Sequence, residues 1–294
     1  MAKFRLLMCR QKGEQIAREY GFTSFPIDPF EIAKKEEIKI CPKPPDKKGV
    51  SGGIVFSGNN AGIFYATDIV NEGFRRFTVG HELGHYFIDG HPEQIQKSAP
   101  LHVSRAGFSQ GDNSIEIEAD HFASGLLLPT YLVHRSLRNA AIGLEGVISL
   151  SDDSICSLTA SAIRAAECSE YPVAVVVSQG DKVCYCFQSD GFKRLGGRRF
   201  LRKGTPLPDS ATKEFNRSTG RILSGARHWA ESDLSTWFDG SPQIKLDEEI
   251  IGLGSYGFTL TVFSSESIPS DPDVEDDDEE RLIESWTPKF AYGR

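Results

Sequence analysis

The sequence predicts an α+β protein: a mainly helical first part with a small antiparallel sheet, then a helical connector and a C-terminal α/β domain. Three observations lead to this prediction. Helical periodicity dominates the first half, one strand pair flanks a Gly-Asn-Asn turn, and longer alternating apolar runs appear only later in the chain. We therefore expect domains at residues 1–141, 142–170 and 171–268, followed by an acidic tail at residues 269–294.

The elements of the first half are marked by capping residues. Asp28 followed by Pro29 is typical of an N-cap with proline at the first helical position, and Asn71 is a suitable N-cap for a later helix. Residues 89–114 contain Gly, Ser and Pro without periodicity, which predicts a long loop. The predicted elements are helices at 14–20 and 28–35, strands at 53–56 and 62–66, a helix from 71 through 85, and helices at 115–128 and 131–141.

Residues beyond 141 change from helical to strand-like patterns. A helix is predicted at 157–167, and alternating apolar residues at 173–177 and 183–187 flank Gln-Gly-Asp as in a hairpin. Further strand is predicted between residues 249 and 263. This region has one basic cluster, which either binds an anionic ligand or, as we favour, is a solvated face. The cluster consists of Arg194, Arg198, Arg199, Arg202 and Lys203.

The composition favours an intracellular, reduced protein that is not a general nucleic-acid binder. The formal net charge is −8, and the stretch from residue 266 to 284 holds ten acidic residues and one base. The N-terminus has no apolar core of a signal peptide, and no apolar run is long enough to span a bilayer. The six cysteines form no C-x-x-C pair. We expect a cytoplasmic protein with free thiols.

The stretch HELGH contains an H-E-x-x-H motif at His81, Glu82 and His85. On a helix the two imidazoles lie one turn apart on the same face, as two ligands of one metal ion require. Glu82 lies beside the first ligand, where it could take a proton from the water that a zinc ion activates. The alternative is a helix with two packed histidines and an exposed Glu.

The third ligand decides the class of site. His91 lies six residues after His85, as in metzincins, but Ile88 stands where that class needs a glycine. The two methionines, at positions 1 and 8, both precede the motif, whereas metzincins place one after it. We therefore interpret His91 as a surface residue that follows Gly90.

Glu116 is the preferred third ligand, because the predicted helix at 115–128 presents it together with Asp120. Asp120 could accept the free ring N–H of a ligand histidine. Ala119 on the same helix is small, so two helices could approach closely. Glu118 points to another side and is expected to be solvated, although it remains the alternative ligand.

FTVGHELGHY followed by EIEADHFASGLLLP resembles the ImmA/IrrE family of metallopeptidases, and the end of the chain, ESWTPKF, resembles many members. The resemblance covers about the first half of the chain. It implies a zincin-like, gluzincin-like fold that binds one Zn²⁺, or Mn²⁺ in its place, through His81, His85 and Glu116, with Glu82 as the base. Members commonly have Asn at the position of Asp120, and either residue can accept a hydrogen bond.

The same resemblance implies a substrate class and the nature of the second half. The substrates would be helix-turn-helix repressors of the Xre type, cut to release a stress or mobile-element response. In some long members a helix-turn-helix-like segment and a GAF-like sensor domain follow the peptidase. Residues 144–168 fit the first in outline, but Asp152, Asp153 and Glu167 outnumber Arg164, which argues against DNA binding.

Two questions stay open at this stage. A binding protein or toxin–antitoxin or immunity component with little or conditional proteolysis is the alternative to a protease, although the intact Glu82 favours catalysis. The donor that stabilises the oxyanion is not identified, and four side chains are candidates: Tyr65, His102, His121 and Tyr131. The strands at 53–56 and 62–66 are expected to offer an edge for an extended substrate. The oligomeric state is not predicted.

Overall fold

A computed structural model describes residues 2–44, 50–58, 60–68, 71–99, 101–105, 114–196, 201–238 and 240–265. The helices in these ranges are α1 (Ala2–Glu19), α2 (Pro29–Lys35), α3 (Glu72–Phe87), α4 (His91–Ser98), α5 (Ser114–Leu127), α6 (Thr130–Arg138), α7 (Leu144–Ser154), α8 (Leu158–Cys168), α9 (Asp190–Arg194), α10 (Ala211–Asn216), α11 (Thr219–Leu223) and α12 (Leu234–Trp237). The strands are β1 (Lys39–Lys43), β2 (Val50–Ser57), β3 (Asn60–Ala66), β4 (Leu101–Arg105), β5 (Val173–Gln179), β6 (Lys182–Gln188), β7 (Arg227–Asp233), β8 (Lys245–Gly252) and β9 (Thr259–Ser264). The chain is therefore α+β, as the sequence predicts.

The described residues form two compact units. One contains the chain up to Leu132 together with Ser151–Ser157, and the other contains Val133–Leu150 and the chain from Leu158 onward. None of the described helices combines the length and apolar character needed to cross a membrane. The predicted acidic tail and the ESWTPKF segment lie outside the described residues.

The first unit has a four-stranded sheet in the order β1-β3-β2-β4. β2 pairs antiparallel with β3 and with β4, whereas β1 runs parallel to β3, so the sheet is mixed rather than purely antiparallel. The predicted strand pair around the Gly-Asn-Asn turn is confirmed as β2 and β3. Both are interior strands, so the expectation that one of them offers an edge is wrong.

Helices α3 and α5 pack closely because small residues face each other. A Cβ atom built on Gly84 would lie 3.0 Å from the Ala119 Cα, and one built on Gly80 would lie 3.6 Å from the Ala123 Cβ. α1 approaches α5 even more closely, since a Cβ on Gly125 would lie 2.1 Å from the carbonyl oxygen of Arg10. These contacts bring residues of α1, α3 and α5 within reach of one another.

Capping side chains begin two helices of the first unit where the sequence predicts. The carboxylate of Asp28 accepts a hydrogen bond from the Phe30 N–H at the start of α2. The side chain of Asn71 accepts one from the Phe74 N–H at the start of α3, at 2.9 Å. Each bond satisfies an N–H that has no partner inside the helix.

The predicted loop at residues 89–114 is wrong at residues 91–98 and 101–105, and its residues 106–113 lie outside the described residues. α4 begins directly after Gly90, whose φ of +89° allows the chain to turn sharply, and β4 follows as a strand of the sheet. Both elements are short, and eight or fewer residues give too little periodicity to recognise in the sequence. α1 is likewise longer than the predicted helix at 14–20.

The second unit is built on a five-stranded antiparallel sheet in the order β6-β5-β9-β8-β7. The predicted hairpin is confirmed as β5 and β6. Phe263 of β9 lies in one buried cluster with three aromatic side chains from outside the sheet, namely Phe192, Trp237 and Phe238. A separate small cluster forms around Phe215, Ile222 and Ile250. This unit therefore has its own hydrophobic core.

Candidate metal centre

α3 places the two histidines of the H-E-x-x-H motif on one buried face. The Nε2 atoms of His81 and His85 lie 3.2 Å apart, and both side chains are buried. Their rings meet edge to face at a centroid separation of 4.9 Å. Two imidazole nitrogens that point to one position are the first requirement of a metal site.

α5 brings Glu116 to the same position. Its Oε2 lies 3.5 Å from the Nε2 of His81, and its Oε1 lies 3.4 Å from the Nε2 of His85. The ligand atoms of these three residues all lie within 4.8 Å of one another, and they form the only such group of at least three ligand side chains among the described residues. The three ligands expected from the sequence therefore converge on one site.

Asp120 lies one turn further along α5 and holds the other nitrogen of His81. Its Oδ1 is 2.8 Å from the His81 Nδ1, so the carboxylate accepts the Nδ1–H and leaves a lone pair on Nε2. Burial opposes protonation of His81, but the hydrogen bonds with Asp120 and Glu116 outweigh it and raise its pKa well above the usual value. Surroundings that favour a proton on this ring also favour a divalent cation beside it.

The pKa values of the other two candidate ligands, His85 and Glu116, are shifted in the directions that favour metal binding. Burial lowers the pKa of His85 to about 3, so its imidazole is neutral and has a free lone pair. Burial opposes ionisation of Glu116, but contacts with His102, His81 and His85 hold its pKa well below the usual range. Two imidazole nitrogens and one carboxylate suit Zn²⁺ or Mn²⁺.

Glu82 is completely buried beside this group. Its carboxylate lies close enough to Ser104 on β4 to interact with that side chain. The backbone of Gly52 on β2 lies against it, since a Cβ there would be 3.6 Å from the Glu82 Oε1. Burial raises the pKa of Glu82 to about 7. A carboxylate in this state is a suitable general base near neutral pH.

His102 on β4 also lies near this group. It is one of the four side chains considered from the sequence as donors to the oxyanion. Its Nε2 lies 2.7 Å from the Glu116 Oε1, and its ring centroid lies 4.5 Å from that of His85. Tyr131 lies elsewhere, because its hydroxyl donates to the Phe22 carbonyl at 2.6 Å.

The last two candidates are Tyr65 and His121. Tyr65 packs edge to face on Phe30. His121 follows Asp120 on α5. His102 is therefore the best placed of the four.

Two sequence interpretations are wrong. His91 is fully buried and is neither a surface residue nor within the ligand group, because it lies behind His85 with the two Nδ1 atoms 3.1 Å apart. Glu118 is not solvated but buried, with its Oε2 3.0 Å from the His91 Nε2 and its Oε1 2.7 Å from the Arg5 Nε. Burial lowers the pKa of His91, because its effect exceeds that of the hydrogen bond to Glu118. At Glu118 the hydrogen bonds from Arg5 and His91 exceed the effect of burial and lower the pKa.

The family comparison bears on the segment that carries this geometry. Residues 33–145 match the model of Peptidase_M78, described as the IrrE N-terminal-like domain. This segment of the chain is similar to an IrrE N-terminal-like domain. His81, Glu82, His85, Glu116 and Asp120 all lie in this segment, and the resemblance to the ImmA/IrrE family is confirmed.

The solved structures add a likeness of fold. A Mycobacterium tuberculosis transcriptional regulator matches with a TM-score of 0.54 at 13% sequence identity, over 87% of this chain and 76% of that one. At this identity the match concerns the fold alone. No curated protein matches the chain significantly. The IrrE N-terminal-like domain therefore carries the functional information.

Proposed function

We propose that the chain is a zinc-dependent endopeptidase. The observation that carries this proposal is the group of His81, His85 and Glu116, whose ligand atoms lie within 4.8 Å of one another beside the buried Glu82. The IrrE N-terminal-like domain is of the metallopeptidase type, which supports the same reaction class. Mn²⁺ is the alternative cation for this set of ligands.

Glu82 acts as the base and then as the acid. A zinc ion held by His81, His85 and Glu116 would act as a Lewis acid that polarises the scissile carbonyl and lowers the pKa of water. Glu82 accepts a proton from the attacking water and later delivers it to the leaving amine, and its raised pKa near neutrality suits both transfers. His102, beside Glu116, is the candidate hydrogen-bond donor to the developing oxyanion.

The substrate backbone would pair with β4. β4 is hydrogen-bonded to β2, and no other described strand occupies its second edge. His102 is partly buried beside the ligand group, while its neighbours Leu101 and Val103 are exposed. A peptide added in extended conformation at this edge would run past the metal centre.

We further propose that the substrate is a helix-turn-helix repressor of the Xre type, whose loss releases a stress or mobile-element response. The ImmA/IrrE resemblance supports this class, and the structurally similar protein is itself named a transcriptional regulator. A cytoplasmic setting is part of the same proposal.

The remaining residues are proposed to regulate the peptidase. We keep the division into residues 1–141, a connector at 142–170 and a sensor-like, GAF-like domain at 171–268. The second unit has its own hydrophobic core and its own five-stranded antiparallel sheet, which supports a separate, sensor-like domain. Arg198 and Arg199 of the predicted basic cluster lie outside the described residues, so an anion site there stays a prediction.

Cleavage is tested with purified full-length protein and a small helix-turn-helix repressor encoded beside it. We expect wild type with Zn²⁺ to convert the intact repressor into two fragments, and Glu82→Gln to leave it intact while binding Zn²⁺ as tightly. A chelator should abolish the wild-type reaction. Equal loss of intact repressor with both proteins would disprove the mechanism. Tight complex formation without fragments would favour the alternative, a regulatory binding protein.

A further inference from the structure

A chain of buried polar side chains leads away from the metal centre behind His85. The Nδ1 of His85 faces the Nδ1 of His91 at 3.1 Å, and the Nε2 of His91 faces the Oε2 of Glu118 at 3.0 Å. The Oε1 of Glu118 is 2.7 Å from the Arg5 Nε. The side chains of the two histidines and Glu118 are at most 4% exposed, whereas the Arg5 side chain is 55% exposed and reaches in from α1.

The Glu118 carboxylate, at the end of this hydrogen-bonded series, determines which ring nitrogen of each histidine carries the proton. Glu118, paired with Arg5, is an acceptor, so the Nε2 of a neutral His91 must carry its proton and donate to it. The Nδ1 of His91 is then a lone pair, which accepts the Nδ1–H of His85. The Nε2 of His85, which faces His81 and Glu116, is consequently left with a free lone pair.

The opposite arrangement leaves two acceptors facing each other. If the Nδ1 of a neutral His91 carried the proton, its Nε2 lone pair would face the Glu118 carboxylate at 3.0 Å in a buried site. A buried acceptor without a donor costs about 1–3 kcal/mol, and more for a charged group. In that arrangement His85 would also carry its proton on Nε2 and could not bind a cation there.

We propose that His91 and Glu118, anchored by Arg5, are positioning residues that set the metal-binding tautomer of His85. The inference rests on the proposed metal site. Both ligand histidines would then have their Nδ1–H directed to a carboxylate, His81 directly to Asp120 and His85 through His91. Arg5 lies outside the matched segment at residues 33–145, so α1 contributes to the centre from beyond the recognised domain.

The first test compares Zn²⁺ affinity among variants by competition with a chromophoric chelator. His91→Phe removes the acceptor and keeps a ring, and we expect it to weaken Zn²⁺ binding by about 10–100-fold. His91→Gln, which restores an acceptor, should recover part of this loss. His228→Phe changes an exposed histidine of the second unit and is the matched control, with unchanged affinity. Far-UV circular dichroism in chelator establishes that each variant is folded.

The second test observes the tautomers directly, so it applies even if His91→Phe fails to fold. Long-range ¹H–¹⁵N spectra of the zinc-bound wild type, labelled in its seven histidines, should show Nδ1–H on His85 and Nε2–H on His91. Finding Nδ1–H on His91, or finding wild-type affinity in His91→Phe, would overturn the inference. Absence of Zn²⁺ binding by wild type would instead refute the proposed function, which keeps the two failures distinct.

Discussion

The close contact between α3 and α5 predicts different effects of alanine substitution at Gly80 and Gly84, which lie one turn apart on α3. An alanine Cβ at position 84 would meet the Cα, Cβ and carbonyl oxygen of Ala119 at 3.0–3.2 Å, so α5 must move by a few tenths of an ångström. An alanine Cβ at position 80 would lie 3.6 Å or more from its neighbours, which is ordinary contact. Gly84→Ala and Gly80→Ala are therefore chemically identical changes with different packing consequences.

The magnitudes follow from two opposing terms. Replacing a helical glycine by alanine stabilises a helix by about 1 kcal/mol, and overpacking a close contact costs about 1–3 kcal/mol. We expect Gly80→Ala to raise the free energy of unfolding by up to about 1 kcal/mol, and Gly84→Ala to leave it unchanged or lower it by up to about 2 kcal/mol. Urea denaturation in chelator measures both values.

The same displacement should reach the metal centre, because Glu116 lies less than one turn before Ala119 on α5. A binding constellation holds its ligands within about 0.5 Å, so a shift of a few tenths of an ångström uses most of that tolerance. Gly84→Ala should therefore weaken Zn²⁺ binding modestly, while Gly80→Ala should not. If Gly84→Ala stabilised the protein as much as Gly80→Ala and kept its Zn²⁺ affinity, the close helix contact would not be what sets the position of Glu116.

Three further predictions concern single side chains. Burial raises the pKa of Glu82 to about 7, so in chelator the stability of wild type should fall, relative to Glu82→Gln, as the pH rises from about 4.5 to about 7. Urea titrations at several pH values check this, and parallel curves would contradict it. Asn71→Ala removes the N-cap of α3 and should cost about 1 kcal/mol, whereas Asn71→Asp should retain it. The Ser189 hydroxyl accepts hydrogen bonds from the N–H groups of Val173 and Phe192 and donates one to the Tyr171 carbonyl. Ser189→Ala should therefore lower the free energy of unfolding of the second unit by about 1–3 kcal/mol in urea denaturation. A loss below about 0.5 kcal/mol would refute this.

The parts of the centre that depend on one helix could be predicted from the sequence. His81 and His85 are four residues apart, as are Glu116 and Asp120, and helical geometry alone puts each pair on one face. Asn71 and Asp28 mark helix starts through bonds to N–H groups only two or three residues away. Such local signals do not depend on how the rest of the chain folds.

The parts that depend on tertiary structure could not be predicted. Glu118 lies between Glu116 and Asp120 on the opposite side of α5, where a solvated carboxylate is the usual expectation. It is buried because α1 covers that side, and the contact of Gly125 with the Arg10 carbonyl is long-range. The short strand β4 gave no periodic signal, so the position of His102 could not be placed either.

His91 shows why a spacing alone does not identify a ligand. A third histidine six residues after His85 matches the spacing of another class of zinc site, and the fold does bring it to His85. The chain, however, continues past the end of α3 through Ile88, turns at Gly90 with a φ of +89°, and enters α4 at His91. This path brings the ring against the Nδ1 of His85, whereas Nε2 faces His81 and Glu116. The turn at Gly90 therefore places the third histidine against His85 and not at the predicted metal position.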